Sequence, residues 1–243
     1  MASALILGAG SDIAVEIARA LASAHFDLFL AGRDTEFLET LKQDLRIRYD
    51  VQAQALYFDA LDYASHAPFF RSLPSTPDVT VCAFGYLGDQ EKGIHDWSES
   101  ARILDTNFTG AVSILNVVAD AYEAAHKGTI VGISSVAGER GRGSNYLYGS
   151  AKAGFSAYLS GLRNRLFRKG VHVISVKPGF VATKMTAHLK LPPTLTATPG
   201  QVGRSVLRAI KQLHNTVYVK GAWKWIMLGI RMIPENVFKK MNL

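Results

Sequence analysis

The sequence predicts an α/β protein: one domain built on a single open, doubly wound parallel sheet of about seven strands. Short apolar runs alternate with longer segments of helical periodicity, which is the pattern of buried parallel strands joined by crossover helices. The 243 residues are 48% hydrophobic and 19% charged, a composition that fills a sizeable core and excludes disordered and fibrous proteins. No Pro-, Gly- or Ser-rich linker divides the chain.

The elements follow one another in a regular order. Apolar runs predict strands at 4–7, 26–31, 53–58, 79–83, 129–134, 171–176 and 216–219. Segments of helical spacing separate them, and the longest helices are predicted over 99–122 and 148–168. Residues 184–200 lack helical periodicity until Thr198-Pro199, a favourable helix start, so we expect a lid or loop there. We place the domain, lid included, over 1–220 and a C-terminal extension over 221–243.

Cysteine, histidine and charge content narrow the function classes. The lone Cys82 excludes an internal disulfide and favours a reducing compartment. The seven histidines never fall at i, i+4 spacing, so we expect no metal site. Residues 217–243 carry a net charge of +4, out of +7 for the whole sequence. This concentration of positive charge favours a local anionic partner over nucleic acid. Since the first basic residue is Arg19 and no apolar run spans a bilayer, we expect a cytoplasmic protein.

A glycine-rich turn lies between the first strand and the first helix. Glycines without side chains let backbone N–H groups approach a pyrophosphate, and the following helix N-terminus adds its positive end. The alternative is an ordinary turn, but the position in the first βα unit predicts a dinucleotide site. The residues assigned to it are Gly8, Gly10, Ser11, Asp12 and Ile13.

The end of the second predicted strand bears on the choice of dinucleotide. An acid there would bind a ribose 2′-hydroxyl, whereas this sequence has Gly32-Arg33. Because Arg33 can make a bidentate contact to a 2′-phosphate, NADP(H) is preferred over NAD(H). The alternative is that Arg33 and Asp34 are only solvated turn residues.

Three further residues form a pattern typical of acid/base chemistry. Tyr148 and Lys152 are four apart and share a face of the predicted helix. An ammonium beside a phenol can lower its pKa, so that it exchanges a proton with a carbonyl or alcohol near neutral pH. Ser135 follows the fifth predicted strand, at the edge where α/β sheets bind ligands.

On these motifs the sequence resembles the short-chain dehydrogenase/reductase family over nearly its whole length, which implies a Rossmann-like fold and an NAD(P)-dependent enzyme. The resemblance implies that Tyr148 is the acid/base, that Lys152 lowers its pKa and holds the nicotinamide ribose, and that Ser135 orients the carbonyl. Asn107 would hold a water in the proton relay. Asp59 is implied to contact adenine, and the further cofactor contacts are Ala60, Ala83, Phe84, Gly85, Pro178, Gly179, Val181 and Thr183.

Two departures from the family pattern concern the cofactor loops. Asp12 and Ala14 replace later glycines, so we expect the Asp12 carboxylate to point away from a pyrophosphate and to cap the helix. Cys82-Ala83-Phe84-Gly85 replaces the usual Asn-Asn-Ala-Gly. Segments 84–90 and 134–140 are closest in appearance to the reductase subunit of decaprenylphosphoryl-ribose 2′-epimerase, a branch of the family that acts on a polyprenyl-phosphate sugar.

The C-terminal extension is both apolar and basic. Lys224 and Arg231 share one stripe of a predicted helix; the apolar residues on the opposite side are Trp223, Ile226, Met227, Ile230 and Ile233. Such a helix suits the surface of an anionic membrane, or else it packs on its own domain or on a partner subunit. Arg140 and Arg142, between Ser135 and Tyr148, are expected beside the substrate, where they can meet a phosphate.

The leading hypothesis is an NADP-dependent oxidoreductase that reduces a ketone, or oxidises a secondary alcohol, on a hydrophobic or lipid-linked substrate, with peripheral contact to the cytoplasmic membrane face. One alternative is a soluble reductase of acyl, steroid-like or xenobiotic ketones. Another is a non-catalytic nucleotide-binding scaffold. The resemblance implies a homodimer or tetramer formed through 99–122 and 148–168, and no recognition motif favours nucleic acid.

Overall fold

The computed structural model describes residues 1–187 and 189–241, and its centre is one parallel sheet. The sheet has seven strands in the order β3-β2-β1-β4-β5-β6-β7. Their bounds are β1 Ser3–Leu7, β2 Asp27–Gly32, β3 Ala53–Tyr57, β4 Val79–Cys82, β5 Gly128–Ile133, β6 Val171–Pro178 and β7 Thr216–Val219. The order reverses beside β1, so the chain winds outward in both directions. The predicted doubly wound α/β fold is therefore confirmed.

Helices cover both faces of the sheet. They are α1 Asp12–Ala22, α2 Thr35–Tyr49, α3 Tyr63–Arg71, α4 Gln90–His95, α5 Trp97–Leu104, α6 Gly110–Ala125, α7 Tyr146–Leu166, α8 Pro199–Gln212, α9 Ala222–Met232 and α10 Glu235–Phe238. The central strands are apolar along their length because α1, α2 and α8 cover one face while α6 and α7 cover the other. His188, within the predicted lid, and the last two residues lie outside the described residues.

The long helix predicted over 99–122 is interrupted. Residues Asp105–Thr109 form a π-helical turn between α5 and α6, a local widening that often marks functional sites. Phe108 is the one apolar side chain in this turn, and the sequence pattern alone does not show the break. The helix predicted over 148–168 begins two residues earlier, at Tyr146.

The predicted lid is an irregular connection with two fixed points. Lys184–Thr186 form a 3-10 turn, and Val181 pairs with Ala197 in an isolated bridge. Helix α8 then starts as the sequence predicts, with Thr198 and Gln201 in a reciprocal capping box.

The C-terminal helices lie against the body of the protein. Trp223 and Met227 are buried in a cluster with Val136, and Ile226 and Ile230 pack partly buried against it. The apolar face that the sequence analysis offered to a membrane is thus the face that packs inward. The division of the chain at residue 221 stays a prediction.

Candidate active site

A cleft opens at the carboxyl ends of the strands, where the strand order reverses. This is the edge at which open α/β sheets bind ligands. The cleft has two neighbouring cavities of about 290 Å³ and about 340 Å³. Gly10, Ser11, Phe84 and Gly85 line both of them. The glycine-rich turn and the turn after β4 thus form a shared boundary, along which one extended ligand can lie.

The turn after β1 leaves no room for a side chain. Gly8 has a φ of +82°, and a Cβ built there would lie 2.6 Å from the backbone nitrogen of Phe84. Only glycine fits such a backbone without strain. Ser11 caps α1 by accepting a hydrogen bond from the N–H of Ala14 at 3.3 Å.

Asp12 does not cap the helix, contrary to our expectation. Its Oδ2 accepts a hydrogen bond from the backbone N–H of Lys184 at 2.6 Å. The carboxylate therefore ties the glycine-rich turn to the lid, and Ser11 takes the capping position. Ser11 caps α1 because the extended backbone at Ser11 places its hydroxyl over the first turn of the helix.

The larger cavity, called the nucleoside cavity below, holds the residues predicted to contact the adenosine half of the cofactor. Arg33, Asp59 and Ala60 line it, together with Arg102 and Thr106. Asp34, whose acid could repel a phosphate, lines this cavity as well, and its Oδ1 caps α2 by accepting from the N–H of Phe37 at 3.0 Å.

Ser135, Tyr148 and Lys152 meet in the smaller cavity. Ser134 anchors the start of α7 here, since its hydroxyl donates to the carbonyl oxygen of Lys152 at 3.0 Å. The ammonium of Lys152 donates to the carbonyl oxygen of Ile133 at 3.1 Å and lies 5.7 Å from the centre of the Tyr148 ring. The three residues predicted to carry proton chemistry are thus brought together.

Burial dominates the protonation of this site. It raises the pKa of Tyr148 to about 12, and hydrogen bonding to Ser135 opposes that rise. Burial likewise lowers the pKa of Lys152 to about 8. The ammonium of Lys152 is hydrogen-bonded to Ile133 and both groups sit in a poorly solvated pocket, and the role of Lys152 in lowering the pKa of Tyr148 stays a prediction.

Asn107 lies behind the cleft wall rather than in it. Its side chain is buried within the π-helical turn. The Nδ2 donates to the carbonyl oxygens of Tyr86 at 2.5 Å and Ile103 at 2.8 Å, and the Oδ1 accepts from the N–H of Tyr86 at 3.2 Å. The amide therefore fixes the loop after β4. Its contact with a relay water stays a prediction.

Every residue that the sequence analysis assigned to the cofactor lines one of the two cavities. Those of the smaller cavity are Gly10, Ser11, Asp12, Ile13, Ala83, Phe84, Gly85, Pro178, Gly179, Val181 and Thr183. Those found in the larger cavity alone are Gly8, Arg33, Asp59 and Ala60. Their cofactor contacts stay predictions, but their shared location is a property of the fold.

Sequence reasoning missed several residues of the cleft. Lys184, Met185 and Thr186 line the smaller cavity from the lid, and Ile133 and Ser134 from the end of β5. Position after a parallel strand would have indicated the last two. The lid residues carry no such signal, because their placement depends on tertiary contacts such as the Asp12–Lys184 hydrogen bond.

Arg140 is not beside the substrate cavity as expected. Its guanidinium bonds the carbonyl oxygens of Ile230 and Ile233 and the carboxylate of Glu235. The C-terminal helices occupy the place where a phosphate was expected. Arg142 is half-buried, burial lowers its pKa, and its Nε has no hydrogen-bond partner among the described residues.

Comparison with known proteins shows which family has this architecture. The model of the short chain dehydrogenase family matches residues 2–193. The chain belongs to the short-chain dehydrogenase family. It is 35% identical, over 99% of its length and 97% of the relative's, to an uncharacterized oxidoreductase of Mycobacterium tuberculosis. A similar relative in Streptomyces coelicolor, also an uncharacterized oxidoreductase, is 33% identical over 98% of this chain and 95% of its own.

Solved structures share the fold. A short-chain dehydrogenase from Sphingobium yanoikuyae in complex with NADPH superposes with a TM-score of 0.83 at 23% identity, covering 99% of this chain and 96% of that one. This short-chain dehydrogenase is accordingly a dehydrogenase or reductase.

The described residues also bear on membranes and metals. Among residues 1–187 and 189–241, no helix combines the length and the apolar character needed to cross a membrane. In the same part of the chain, no group of three or more His, Cys, Asp or Glu side chains is arranged to hold a metal ion.

Proposed function

We propose that this short-chain dehydrogenase is an NADP(H)-dependent reductase of ketones, which also oxidises the corresponding secondary alcohols. The observation that carries the proposal is the meeting of Ser135, Tyr148 and Lys152 in one cavity beside the glycine-rich turn. The steric fit of that turn supports a dinucleotide, since the backbone at Gly8 is open only to a residue without Cβ.

In this proposal bound NADPH supplies the hydride, and the protein supplies the proton and the orientation. Tyr148 donates its hydroxyl proton to the carbonyl oxygen of the substrate, to which Ser135 donates a second hydrogen bond. The raised pKa of Tyr148 keeps the phenol protonated at neutral pH, which suits reduction. Lys152, charged at neutral pH, favours the phenolate left after transfer.

Tyr148→Phe tests this mechanism. The variant keeps the ring but loses the transferable proton, so NADPH oxidation with a ketone should fall by about 100-fold or more. Cofactor binding, followed by quenching of tryptophan fluorescence, should stay as in the wild type. Turnover retained in Tyr148→Phe would refute the assignment, and binding of NADPH without any turnover by the wild type would favour a non-catalytic scaffold.

The preference for NADP(H) rests on Arg33. Its exposed guanidinium lines the nucleoside cavity, which the neighbouring Asp34, the N-cap of α2, also lines. Arg33→Ala should raise the dissociation constant of NADPH about 10-fold or more and leave that of NADH within about twofold, because a charge-assisted contact to phosphate is lost. An equal change for both cofactors would contradict the preference.

The substrate is proposed to be hydrophobic. Apolar side chains that are not assigned to the cofactor line the cavity beside Tyr148, among them Ile133 and Met185. Competing substrates discriminate the finer alternatives. Preference for a keto-sugar on a polyprenyl phosphate over the free keto-sugar would support a lipid-linked substrate, whereas equal rates with simple aryl or steroid-like ketones would support the soluble carbonyl reductase.

We further propose that the outer face of α9 contacts the cytoplasmic surface of an anionic membrane. Trp225, Leu228 and Met232 are exposed and repeat at helical spacing, so they form one apolar stripe. Lys224 and Arg231 are exposed beside it. Apolar side chains flanked by cations match a surface of anionic headgroups over acyl chains.

Vesicle flotation tests the membrane contact. The wild type should float with vesicles containing anionic lipid, and the double variant Trp225→Ser/Met232→Ser should not. Ile47→Ser is the matched control, since Ile47 is an equally exposed apolar residue on α2. Identical flotation of all three proteins would refute this docking face. Light scattering on the wild type without vesicles measures whether it forms the homodimer or tetramer expected through 99–122 and 148–168.

A further inference from the structure

The side chain of Arg140 joins two parts of the molecule that are distant in sequence. Its Nη1 donates to the carbonyl oxygens of Ile230 at 2.5 Å and Ile233 at 2.7 Å. Its Nη2 pairs with Glu235 at 3.0 Å, and its Cζ lies 3.6 Å from the centre of the Phe238 ring. The guanidinium thereby binds carbonyl groups at the end of α9, where that of Ile230 otherwise accepts, among the described residues, only from the N–H of Ile233 at 3.4 Å.

On the other side, Arg140 directly follows the turn that begins at Ser135. Residues Val136–Glu139 form a 3-10 turn, and the Ser135 hydroxyl accepts from the N–H of Ala137 at 3.1 Å. At its end, the buried carboxylate of Glu139 accepts from Lys177 on β6 at 2.9 Å and from the hydroxyl of Tyr218 on β7. The sheet therefore holds this turn at Glu139.

The C-terminal segment holds the same turn from outside. Val136 packs on Trp223 and Met227. Trp223 also reaches the lid, because its Nε1 donates to the carbonyl oxygen of Leu195 at 3.1 Å. It fits tightly over the cleft, since a Cβ on Gly179 would lie 2.0 Å from its ring. The segment 222–238 thus touches the serine turn, the lid and the segment after β6.

We propose that Arg140 is a positioning residue: it fastens α9 and α10 onto the turn that begins at Ser135, so that the C-terminal segment supports from outside the residues that line the substrate cavity. The proposal rests on the proposed function for its kinetic consequence. The contacts of Arg140 with Ile230, Ile233 and Glu235 are called the clamp here. Loss of the clamp should free Val136 and Trp223 together, and Ser135 would then lose its fixed orientation. A small displacement of an orienting group costs a large factor in rate. The glycine-rich turn, formed by β1, β2 and β4, should be unaffected.

The test compares Arg140→Ala with wild type by hydrogen exchange and by kinetics. Exchange should rise in peptides covering both 134–140 and 222–238, and kcat/KM for a ketone should fall about 10-fold to 100-fold, mainly through kcat. The dissociation constant of NADPH should change less than kcat/KM, since Trp223 packs on Gly179 after β6, whereas the glycine-rich turn lies beside β1, β2 and β4. Glu235→Gln is the matched control: it removes an exposed charge but keeps both carbonyl contacts, so its exchange and rates should match the wild type.

A failure of the clamp proposal and a failure of the proposed function give different results. Faster exchange confined to 222–238, with wild-type exchange at 134–140 and wild-type kcat/KM, would overturn the proposal. If Arg140→Ala does not fold, Arg140→Gln, which keeps an amide donor, is judged by the same two measurements. If the wild type reduces no ketone, the proposed function fails, while coupled exchange in the two segments still decides whether the clamp holds the serine turn.

Discussion

Lys152 is a buried cation whose replacement should stabilise the protein while abolishing its activity. The side chain is 3% exposed, and burial lowers its pKa from 10.5 to about 8. A tenfold change in a proton-binding constant corresponds to about 1.4 kcal/mol, so a protonated Lys152 costs the folded state about 3 kcal/mol at neutral pH. Lys152→Met removes the charge and keeps an unbranched chain, at the loss of one hydrogen bond to Ile133 worth about 1 kcal/mol.

The expected net gain is about 2 kcal/mol in the free energy of unfolding at pH 7, or about 4–8 °C in Tm. The gain must depend on pH in one direction. Below about pH 8 the lysine is protonated in both folded and unfolded chains, and the full cost is present. Between pH 8 and 10.5 the folded protein gives up the proton first, so the stability of the wild type rises relative to the variant and the gap closes.

Urea unfolding of both proteins at pH 7 and pH 9.5 measures this gap. Lys177→Met is the control, because Lys177 is paired with the buried carboxylate of Glu139 at 2.9 Å. That variant leaves a buried charge without its partner and should be less stable than the wild type. A Lys152→Met variant that is no more stable at pH 7, or a gap of constant size from pH 7 to 9.5, would refute the reasoning from burial.

Three other predictions concern packing, a buried hydrogen bond and the thiol. Gly203→Ala should lower the free energy of unfolding, measured in urea, by about 1–3 kcal/mol. The reason is that a Cβ there would lie 2.3 Å from the carbonyl oxygen of Glu16 and would push α8 away from α1. Unchanged stability would show that the two helices separate freely. Tyr122→Phe should cost about 1 kcal/mol by thermal unfolding, since its hydroxyl bonds Thr80 at 2.7 Å in the core; no loss would mean that the bond contributes nothing. Burial raises the pKa of Cys82 to about 12. An aromatic disulfide reagent at pH 8 should therefore label the thiol only after unfolding in guanidinium. Rapid labelling of the native protein would contradict the burial of Cys82.

Local pattern was sufficient for the sheet and for most of the cleft. Seven apolar runs predicted seven strands to within a few residues. The signal comes from the central strands, because a strand buried on both faces needs apolar side chains throughout. The ends of parallel strands meet at one edge, so residues that follow β1, β4, β5 and β6 in the sequence had to come together there. Arg33 and Asp59 were predictable for the same reason.

What the sequence by itself determined was therefore the α/β fold and the residues placed at the strand ends, since both depend on the spacing of apolar and small residues along the chain. Only the tertiary structure decided which face of α9 is buried, that Asp12 binds the lid and that Arg140 binds the C-terminal helices. An amphipathic helix, a carboxylate and a guanidinium each have several satisfactory partners. Which one they meet depends on contacts between residues far apart in the chain, and a local pattern does not encode those contacts.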